Sequence, residues 1–272
     1  MTAGSVRIGD LEVAVVCEGF APMDLADEMP GLTVDWAAER TAFPWAFHGE
    51  DSWAWHVHAF AIRTGTGVVM VDAGLGEFPP FRPWADSIDR DLALSRARVD
   101  PREVRAVIHT HLHADHAGGA ILDGRPRFPN AVHHVHPADW AFFGRPDRIE
   151  DYTTRGPMAE LQRLGMLDLT EPDHAVAPGI TVVHAPGHTP GHRVAILESG
   201  GETLLLTGDL LHTPIQVAMP GSPSSHDEDA EEGCRSRIRL IEDARGGGWR
   251  VAVSHFAHPF GRVEVGGWRS ES

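Results

Sequence analysis

The chain is poor in cysteine, with only Cys17 and Cys234 among its 272 residues. The two lie far apart and lack the close pairing of a cysteine-built metal site, and we do not expect them to form a structural disulfide. The N-terminus has no apolar signal core, and no apolar run is long enough to span a bilayer. These absences predict a cytoplasmic protein without a membrane partner.

Positive charge is also scarce: Lys and Arg total 23 against 39 Asp and Glu, which gives a formal net charge of −16. Because phosphate binding needs basic patches, this charge disfavours nucleic acid as a partner. The sequence also lacks the Gly-x-Ser-x-Gly motif of a serine nucleophile elbow. The remaining composition, 42% hydrophobic and 23% charged, is typical of globular proteins, and we expect one α/β domain over residues 1–272.

The densest chemistry lies at residues 110–119, Thr-His-Leu-His-Ala-Asp-His-Ala-Gly-Gly, directly after an apolar strand-like segment. His111 and His113 are two residues apart, so at an extended strand end both side chains point to one side and can chelate one ion. Asp115 and His116 follow at a turn and point elsewhere, toward a second ion. Imidazole and carboxylate suit zinc and its neighbours. The pattern favours two metal ions over the alternative, a histidine-rich surface loop.

Three further apolar segments end in candidate ligands. His188 lies in a loop whose prolines and glycines would hold it rigidly. Asp209 follows Leu-Leu-Leu-Thr-Gly, and its carboxylate can bridge two cations through its two oxygens. His255 follows Val-Ala-Val-Ser. A single Asp or His at a strand end is more typical of a cap or a surface group, but four such strand ends in one chain predict a shared site.

This series resembles the metallo-β-lactamase superfamily, whose hallmark is His-x-His-x-Asp-His followed by a lone His, a lone Asp and a final His. The resemblance covers about residues 57–260, and the Asp-Ala-Gly at 72–74 matches the family's strand and Asp-x-Gly turn. It implies an α/β fold, the αββα sandwich in which two mixed β-sheets are flanked by helices. Residues 1–56 would add an N-terminal strand and an aromatic-rich arm to the metal-binding core at 57–260.

The resemblance also implies a role for each candidate ligand. His111, His113 and His188 hold one metal ion, Asp115, His116 and His255 hold the other, and Asp209 bridges the two. Asp72 orients these ligands without binding a metal. His192, which closes the loop of His188, is expected from its position to orient a ligand as well. The cofactors implied are two divalent ions, with Zn²⁺ as the first expectation and Fe, Mn or Co as alternatives.

A mechanism follows from this ligand set. Two divalent ions lower the pKa of a bridging water toward neutrality, and the resulting hydroxide is the predicted nucleophile. The substrate oxygen is expected to bind to one of the ions. Asp115, by analogy with the family, takes up and returns a proton. His212 stands three residues after the bridging Asp, where quorum-quenching lactonases usually carry a Tyr, and it either polarises the substrate oxygen or merely packs.

The segments at 208–214 and 254–263 resemble the lactonase and organophosphate-hydrolase-like branch. We therefore predict a hydrolase of a lactone, ester or related small molecule, although the His at position 212 disfavours acyl-homoserine lactones. The alternatives are a glyoxalase-II-like thioesterase, an iron-loaded redox member of the same fold, and a binding protein that has lost its chemistry. Family members of this branch are often dimers, so the resemblance also implies a homodimer.

The N-terminal third is rich in aromatic residues, and two interpretations of it stay open. The first is core or dimer packing, which the area that aromatics bury favours. The second is an aromatic wall that faces the metals, with Trp45, Phe47 and His258 as the candidate pocket residues. Residues 19–41 are expected to form an arm or a lid, and residues 214–225 either line the pocket or simply connect two elements.

Two local predictions concern charge and exposure. The acidic run at 227–232 predicts the start of a helix with Ser225 as its N-cap, because carboxylates favour the positive end of a helix dipole. His133, His134 and His136 flank a β segment and are expected to be partly exposed. His226 is expected at the surface.

Overall fold

The structure is a computed structural model that describes residues 4–29, 32–76, 89–145, 155–171 and 173–271. Within these ranges the strands are β1 (Ser5–Ile8), β2 (Leu11–Asp24), β3 (Ser52–Thr64), β4 (Gly67–Val71), β5 (Val104–Ile108), β6 (Ile121–Leu122), β7 (Arg125–Pro126), β8 (Val132–Val135), β9 (Leu167–Leu169), β10 (His174–Ala177), β11 (Ile180–His184), β12 (Arg193–Ser199), β13 (Glu202–Leu206), β14 (Arg250–Ala252), β15 (Phe260–Glu264) and β16 (Gly267–Ser270). The α helices are α1 (Leu25–Glu28), α2 (Trp36–Ala42), α3 (Arg90–Arg96), α4 (Ala114–Ala117), α5 (Pro137–Phe143), α6 (Arg155–Arg163), α7 (Ile215–Ala218) and α8 (Ala230–Gly247).

The strands form two large mixed sheets. The first has the order β1-β2-β3-β4-β5-β8-β9, antiparallel from β1 to β4 and parallel from β4 to β9. The second runs from β10 to β16 in chain order and is antiparallel except for the parallel pair β13–β14. In both sheets, the loops that follow parallel strands therefore emerge at one edge.

The period of two along a strand decides which side chains face which layer. On β2, Val13 and Val15 point between the two sheets, where they join an apolar layer with residues such as Phe60 and Leu204. Ala14 and Val16 point the other way, toward the helices that cover the first sheet.

The outer faces of both sheets are covered by helices. Leu94 of α3, Phe143 of α5 and Leu161 of α6 are buried against the first sheet. Leu240 and Ile241 of α8 are buried against the second. The layers are thus helix, sheet, sheet, helix, which confirms the predicted fold class.

The histidines beside β8 correct one prediction. His133 is fully buried, not partly exposed, because β8 is an inner strand between β5 and β9. Its Nδ1 lies 2.9 Å from Nε2 of His109, which is also buried. His136 is buried too, and its Nδ1 accepts a hydrogen bond from the backbone of α5 at 3.0 Å. Only His134 is half-buried, as expected.

The N-cap predicted for the helix that became α8 is also wrong. Ser225 is not the N-cap. That position is taken by Asp229, whose backbone is extended and whose carboxylate accepts a hydrogen bond from the N–H of Glu232 at 3.0 Å. Only part of the acidic run at 227–232 therefore belongs to the start of the helix. Asp227 lies before the helix, and its side chain points inward.

The N-terminal segment predicted as an arm or a lid contains the end of β2, α1 and most of α2. In the described parts of the chain, no helix has the combination of length and apolar character that crossing a membrane requires.

Candidate metal centre

The candidate ligands lie on loops that the topology brings to a common edge. The 110–116 loop follows β5, and Asp72 follows β4, its parallel neighbour. In the second sheet, His188 follows β11, Asp209 follows β13 and His255 follows β14. Because β11, β13 and β14 run in one direction, their loops emerge on the same side of that sheet.

One group of side chains comprises His111, His113, His188 and Asp209, whose ligand atoms all lie within 4.8 Å of one another. Nε2 of His188 lies 2.9 Å from Nδ1 of His113 and 3.3 Å from Oδ2 of Asp209. Nε2 of His111 lies 3.6 Å from the same oxygen. Three imidazoles and one carboxylate oxygen thus face a common point.

A second group comprises Asp115, His116 and His255, again within 4.8 Å of one another. Nε2 of His116 and Nε2 of His255 each lie 3.0 Å from Oδ1 of Asp209. Oδ2 of Asp115 lies 3.6 Å from the former nitrogen and 4.0 Å from the latter. The two oxygens of Asp209 therefore face different groups, Oδ2 the first and Oδ1 the second.

The hydrogen bonds of this site leave lone pairs facing one another. Nδ1 of His116 donates to Asp72, and Nδ1 of His255 donates to the backbone carbonyl of His56 at 2.6 Å. With the proton on Nδ1, each Nε2 directs a lone pair toward an acceptor, the Asp209 carboxylate. Such a contact is favourable only if a proton or a cation lies between the two atoms.

The burial of these side chains strengthens the need for a proton or a cation between them. His111, His116, His188 and Asp209 are all buried, and Nε2 of His111 and of His116 make no hydrogen bond. Buried polar atoms without partners are rare because they cost free energy. Imidazole nitrogens and carboxylate oxygens converging in this way fit divalent ions of the zinc type.

The ionisation of Asp209 agrees with this arrangement. Burial alone would raise the pKa of its carboxyl, but the facing imidazoles of His116 and His255 hold that pKa well below its ordinary value. Burial holds the pKa values of His111 and His188 well below the ordinary value, and it lowers that of His113 to about 4. His111, His113 and His188 thus offer neutral imidazoles beside an ionised carboxylate, which are the forms that bind cations. Burial would lower the pKa of His116, but the carboxylates of Asp209, Asp115 and Asp72 hold that pKa well above its ordinary value.

Several buried groups orient the candidate ligands. Oδ1 of Asp72 accepts the N–H of Thr110 at 2.8 Å, and its Oδ2 accepts Nδ1–H of His116 at 2.8 Å. Nε2 of His192 accepts the N–H of Asp209 at 3.0 Å, and its Nδ1 donates to a backbone carbonyl. Both residues contact ligands from behind, where the sequence predicted orienting residues.

Asp139 is an orienting residue that sequence reasoning missed. This buried carboxylate on α5 accepts hydrogen bonds from Leu112 N at 3.2 Å, Thr189 Oγ1 at 3.0 Å and Gly191 N at 2.6 Å. It thereby ties the loop that carries His111 and His113 to the loop that carries His188.

The loop around His188 is held by close backbone contact. Gly187 has φ +130°, and a Cβ there would lie 2.1 Å from the backbone N of Gly233 on α8. Behind the imidazole, Nδ1 of His188 lies 3.5 Å from Oδ1 of Asp227. The same carboxylate pairs with Arg237 at 3.0 Å, and both partners are buried.

His212 lies in the site, with Nε2 3.4 Å from Oδ2 of Asp209. Its Nδ1 lies 3.2 Å from Oε1 of Glu28, a fully buried carboxylate on α1 that sequence reasoning missed. Although burial opposes both shifts, their mutual attraction lowers the pKa of Glu28 to about 2 and raises that of His212 to about 10. Nε2 of His226 also lies 3.4 Å from Oε2 of Glu28. His226 is half-buried, so it is not the exposed surface residue that the sequence analysis expected.

The predicted pocket residues lie in aromatic clusters beside the site. Trp45 contacts Phe256 and His258, both with ring centroids 5.5 Å away, and Phe47 stacks on Trp53 at 4.6 Å. The aromatic ring that covers the candidate ligands is Trp55, whose centroid lies 4.2 Å from that of His255 and 4.9 Å from that of His212. Trp53 lies two residues earlier on the same face of β3 and packs in the neighbouring cluster.

Comparison with known proteins places the chain in a family. The family model of the metallo-beta-lactamase superfamily matches residues 53–250. An N-acyl homoserine lactonase from a Bacillus species is 27% identical over 173 residues, which are 58% of this chain and 64% of the relative. The N-acyl homoserine lactonase AttM of Rhizobium johnstonii is 34% identical over 169 residues, 57% of this chain and 59% of the relative. The match thus spans less than two thirds of these relatives.

Solved structures share the fold over almost the whole chain. The hydrolase AbOPH superposes with a TM-score of 0.83 at 20% identity and covers 99% of this chain and 97% of its own. AidC, a dizinc quorum-quenching lactonase, superposes with a TM-score of 0.82 at 21% identity over the same shares. Since the family model covers most of the sequence and the fold agrees, this chain belongs to the metallo-beta-lactamase superfamily.

Proposed function

We propose that this chain is a metal-dependent hydrolase that opens small lactones. The observation that carries the proposal is the Asp209 carboxylate, whose two oxygens face two separate groups of nitrogen and oxygen ligands. The lactonase relatives support lactones as the substrate class. N-acyl homoserine lactones are the first substrates to test, even though a His occupies position 212.

The residues that would hold the ions follow from the two groups. His111, His113 and His188 would bind one divalent ion, Asp115, His116 and His255 the other, and Asp209 both. When bound, two such ions supply Lewis acidity toward a carbonyl oxygen and lower the pKa of water. Zn²⁺ suits the donor set, and the metal content of the purified protein decides between Zn²⁺ and iron.

The chain's own groups would move the protons. Lactone hydrolysis adds water to the carbonyl carbon, breaks the ring C–O bond and returns a proton to the departing alkoxide. We assign that proton to Asp115, whose side chain is 13% exposed and is therefore accessible to water and substrate. Asp209 is buried in the ligand set, so it is a poorer candidate for this transfer.

His212 would bind the substrate oxygen. Glu28 holds its Nδ1, which leaves Nε2 directed into the site beside Asp209. As an imidazolium it can donate from Nε2 to a carbonyl oxygen, which is the polarising role that the sequence left open. Trp55 stacks on this imidazole and restricts its rotation.

The test is a hydrolysis assay on purified protein with its metal content measured on the same sample. The panel contains acyl-homoserine lactones, simple lactones, aryl esters, a thioester and a phosphotriester. We expect lactone opening, and we expect Asp209→Asn to lose more than the ~10–100-fold typical of residues that only orient ligands. Asp123→Asn, an exposed acid in a turn, is the matched control and should keep full activity.

Other outcomes are equally informative. Thioester cleavage without lactone opening would favour the glyoxalase-II-like alternative. Bound iron without any hydrolysis would favour redox chemistry. Unchanged lactone turnover in Asp209→Asn would overturn the proposal, because the bridging carboxylate would then be dispensable.

A further inference from the structure

A third cluster of ligand-type side chains lies outside the two groups around Asp209. It consists of Cys17 on β2 and His56 and His58 on β3, and one ligand atom from each lies within 4.8 Å of the others. Sγ of Cys17 lies 3.9 Å from Nδ1 of His56, and the two imidazole centroids are 5.2 Å apart. The proposed hydrolysis uses none of these three side chains.

The pairing of two strands creates this cluster. Cys17 is directly opposite His58 in the antiparallel register, and a bulge at Glu18 shifts the register so that Phe20 is opposite His56. His56 and His58 are two residues apart, so they share one face of β3. Phe20 stacks on the imidazole of His56 and helps to fix its ring.

His58 is the most informative member, because it is 1% exposed and one of its nitrogens lacks a partner. Its Nε2 donates to the backbone carbonyl of Phe256 at 2.9 Å. That bond places the proton on Nε2 and leaves Nδ1 with a lone pair, and Nδ1 is the buried nitrogen without a hydrogen bond. A buried acceptor of this kind costs free energy unless a donor or a cation satisfies it.

We propose that Cys17, His56 and His58 bind a third metal ion, a thiophilic divalent cation such as Zn²⁺. One thiolate and two imidazoles form a three-residue zinc ligand set in other proteins, with a fourth position left for water. Cys17 and His56 are half-buried, and His58 is buried. Binding replaces the thiol proton by the metal and releases that proton to solvent.

Two hydrogen bonds between His56 and His255 would connect this site to the hydrolytic centre. The backbone carbonyl of His56 accepts Nδ1–H of His255 at 2.6 Å, and the backbone N–H of His56 donates to the carbonyl of His255. A metal ion that fixes His56 would therefore fix the segment that orients a ligand of the proposed dimetal site. Metal binding by Cys17, His56 and His58 does not depend on hydrolysis at the other centre.

Co²⁺ is the probe, because a cobalt–thiolate bond gives a charge-transfer absorption in the near ultraviolet that nitrogen and oxygen ligands lack. The candidate ligands around Asp209 include no sulfur, so the band reports only the third site. We expect titration of the metal-free full-length chain to give this band, saturating at one thiolate-bound cobalt per chain. The Cys17→Ser and His58→Gln variants should lose the band.

The matched control is Cys234→Ser, since Cys234 is the other half-buried thiol of the chain and lies on α8. This variant should keep the band. A band that is absent from the wild-type chain while cobalt binds elsewhere, or one that survives Cys17→Ser, overturns the proposal. Circular dichroism of each variant shows whether it is folded.

A second measurement needs no variant. Zn²⁺ should slow alkylation of Cys17 in the wild-type chain, with the rate at Cys234 as the internal reference, because a metal-bound thiolate is a poorer nucleophile than a free one. Equal protection of both thiols, or of neither, argues against the site. Asp209→Asn should keep the cobalt–thiolate band. A wild-type chain that gives the band but opens no lactone would count only against the proposed function, and a wild-type chain that opens lactones without giving the band would count only against the third site.

Discussion

Asp72 and His116 are joined by a buried hydrogen bond of 2.8 Å between Oδ2 and Nδ1. Asp72 makes this bond from a left-handed backbone conformation with φ +65°, which is costly for a residue other than glycine. The same carboxylate accepts both the N–H and the hydroxyl of Thr110. Asp72 thus fixes the loop that carries His111 and His113, and it fixes the tautomer of His116.

We predict that Asp72→Asn weakens metal binding by about 10–100-fold, the usual effect of removing a group that orients a ligand. The amide cannot accept from both Thr110 and His116 as the carboxylate does, because one of its two atoms is a donor. Competition with a chromophoric chelator measures the affinity. Asp123→Asn is the control, since Asp123 also has positive φ but is exposed. Equal affinities in the two variants would contradict the assignment.

A second prediction follows from the interaction between Glu28 and His212 and concerns the turnover of lactones. Both Glu28→Gln and His212→Asn should lower kcat/KM for lactones, because each removes the imidazolium that we place at the substrate oxygen. If the two residues act as one unit, the double variant should be hardly slower than the slower single variant. Fully additive losses in free energy would show that they act independently.

The same pair predicts a dependence of stability on pH. Glu28 has its pKa lowered from 4.5 to about 2, so its contribution is complete above pH 4.5 and is lost as the pH falls through 2. His212 has its pKa raised from 6.5 to about 10, so its contribution is complete below pH 6.5 and is lost as the pH rises through 10. The interaction should therefore stabilise the fold most between pH 4.5 and 6.5.

Urea unfolding of the wild type and Glu28→Gln, both with chelator present, measures that contribution. Breaking a buried ion pair typically costs about 3–5 kcal/mol. We expect the difference in unfolding free energy to be largest inside this window and to shrink on both sides of it. A difference that does not change from pH 3 to pH 9 would show that the two groups are not paired as ions.

The sequence could predict the part of the site that is local. His111, His113, Asp115 and His116 lie within six residues, and their spacing alone separates them into two directions. The apolar strands that end in His188, Asp209 and His255 could be recognised for the same reason. These strands and the layered sheets follow from periodicity, which depends only on neighbouring residues.

What the sequence could not predict depends on distant pairing. Glu28 lies 184 residues before His212 in a stretch with several other acids, and only folding shows that Glu28 is buried. The cluster of Cys17 with His58 depends on a strand register and a bulge that no local pattern fixes. Cytoplasmic location, a homodimer and a single domain stay predictions.

A fourth prediction concerns Asp139 and separates positioning from catalysis. Asp139→Asn should weaken metal binding, because its amide group cannot accept from Leu112 N, Thr189 Oγ1 and Gly191 N together. Once metal is supplied in excess, turnover should recover most of the way. Exposed Asp168 provides the control variant Asp168→Asn, which should leave metal affinity unchanged. A loss of turnover that excess metal does not restore would give Asp139 a different role.

The last prediction concerns Asp227 and Arg237, which show why a local interpretation of charge failed. The acid stands next to a helix start, where exposed carboxylates are common, yet Arg237 lies two turns into α8 and draws Asp227 inward. Arg237→Met would leave a buried carboxylate without its cation, so we expect a loss of about 3–5 kcal/mol in unfolding free energy. Arg235→Met on the same helix removes only exposed ion pairs and should leave the unfolding free energy almost unchanged. Asp227 also lies 3.5 Å from Nδ1 of His188, so Arg237→Met should weaken metal binding as well. If the variant loses stability but keeps its metal affinity, the Asp227 carboxylate serves the fold alone.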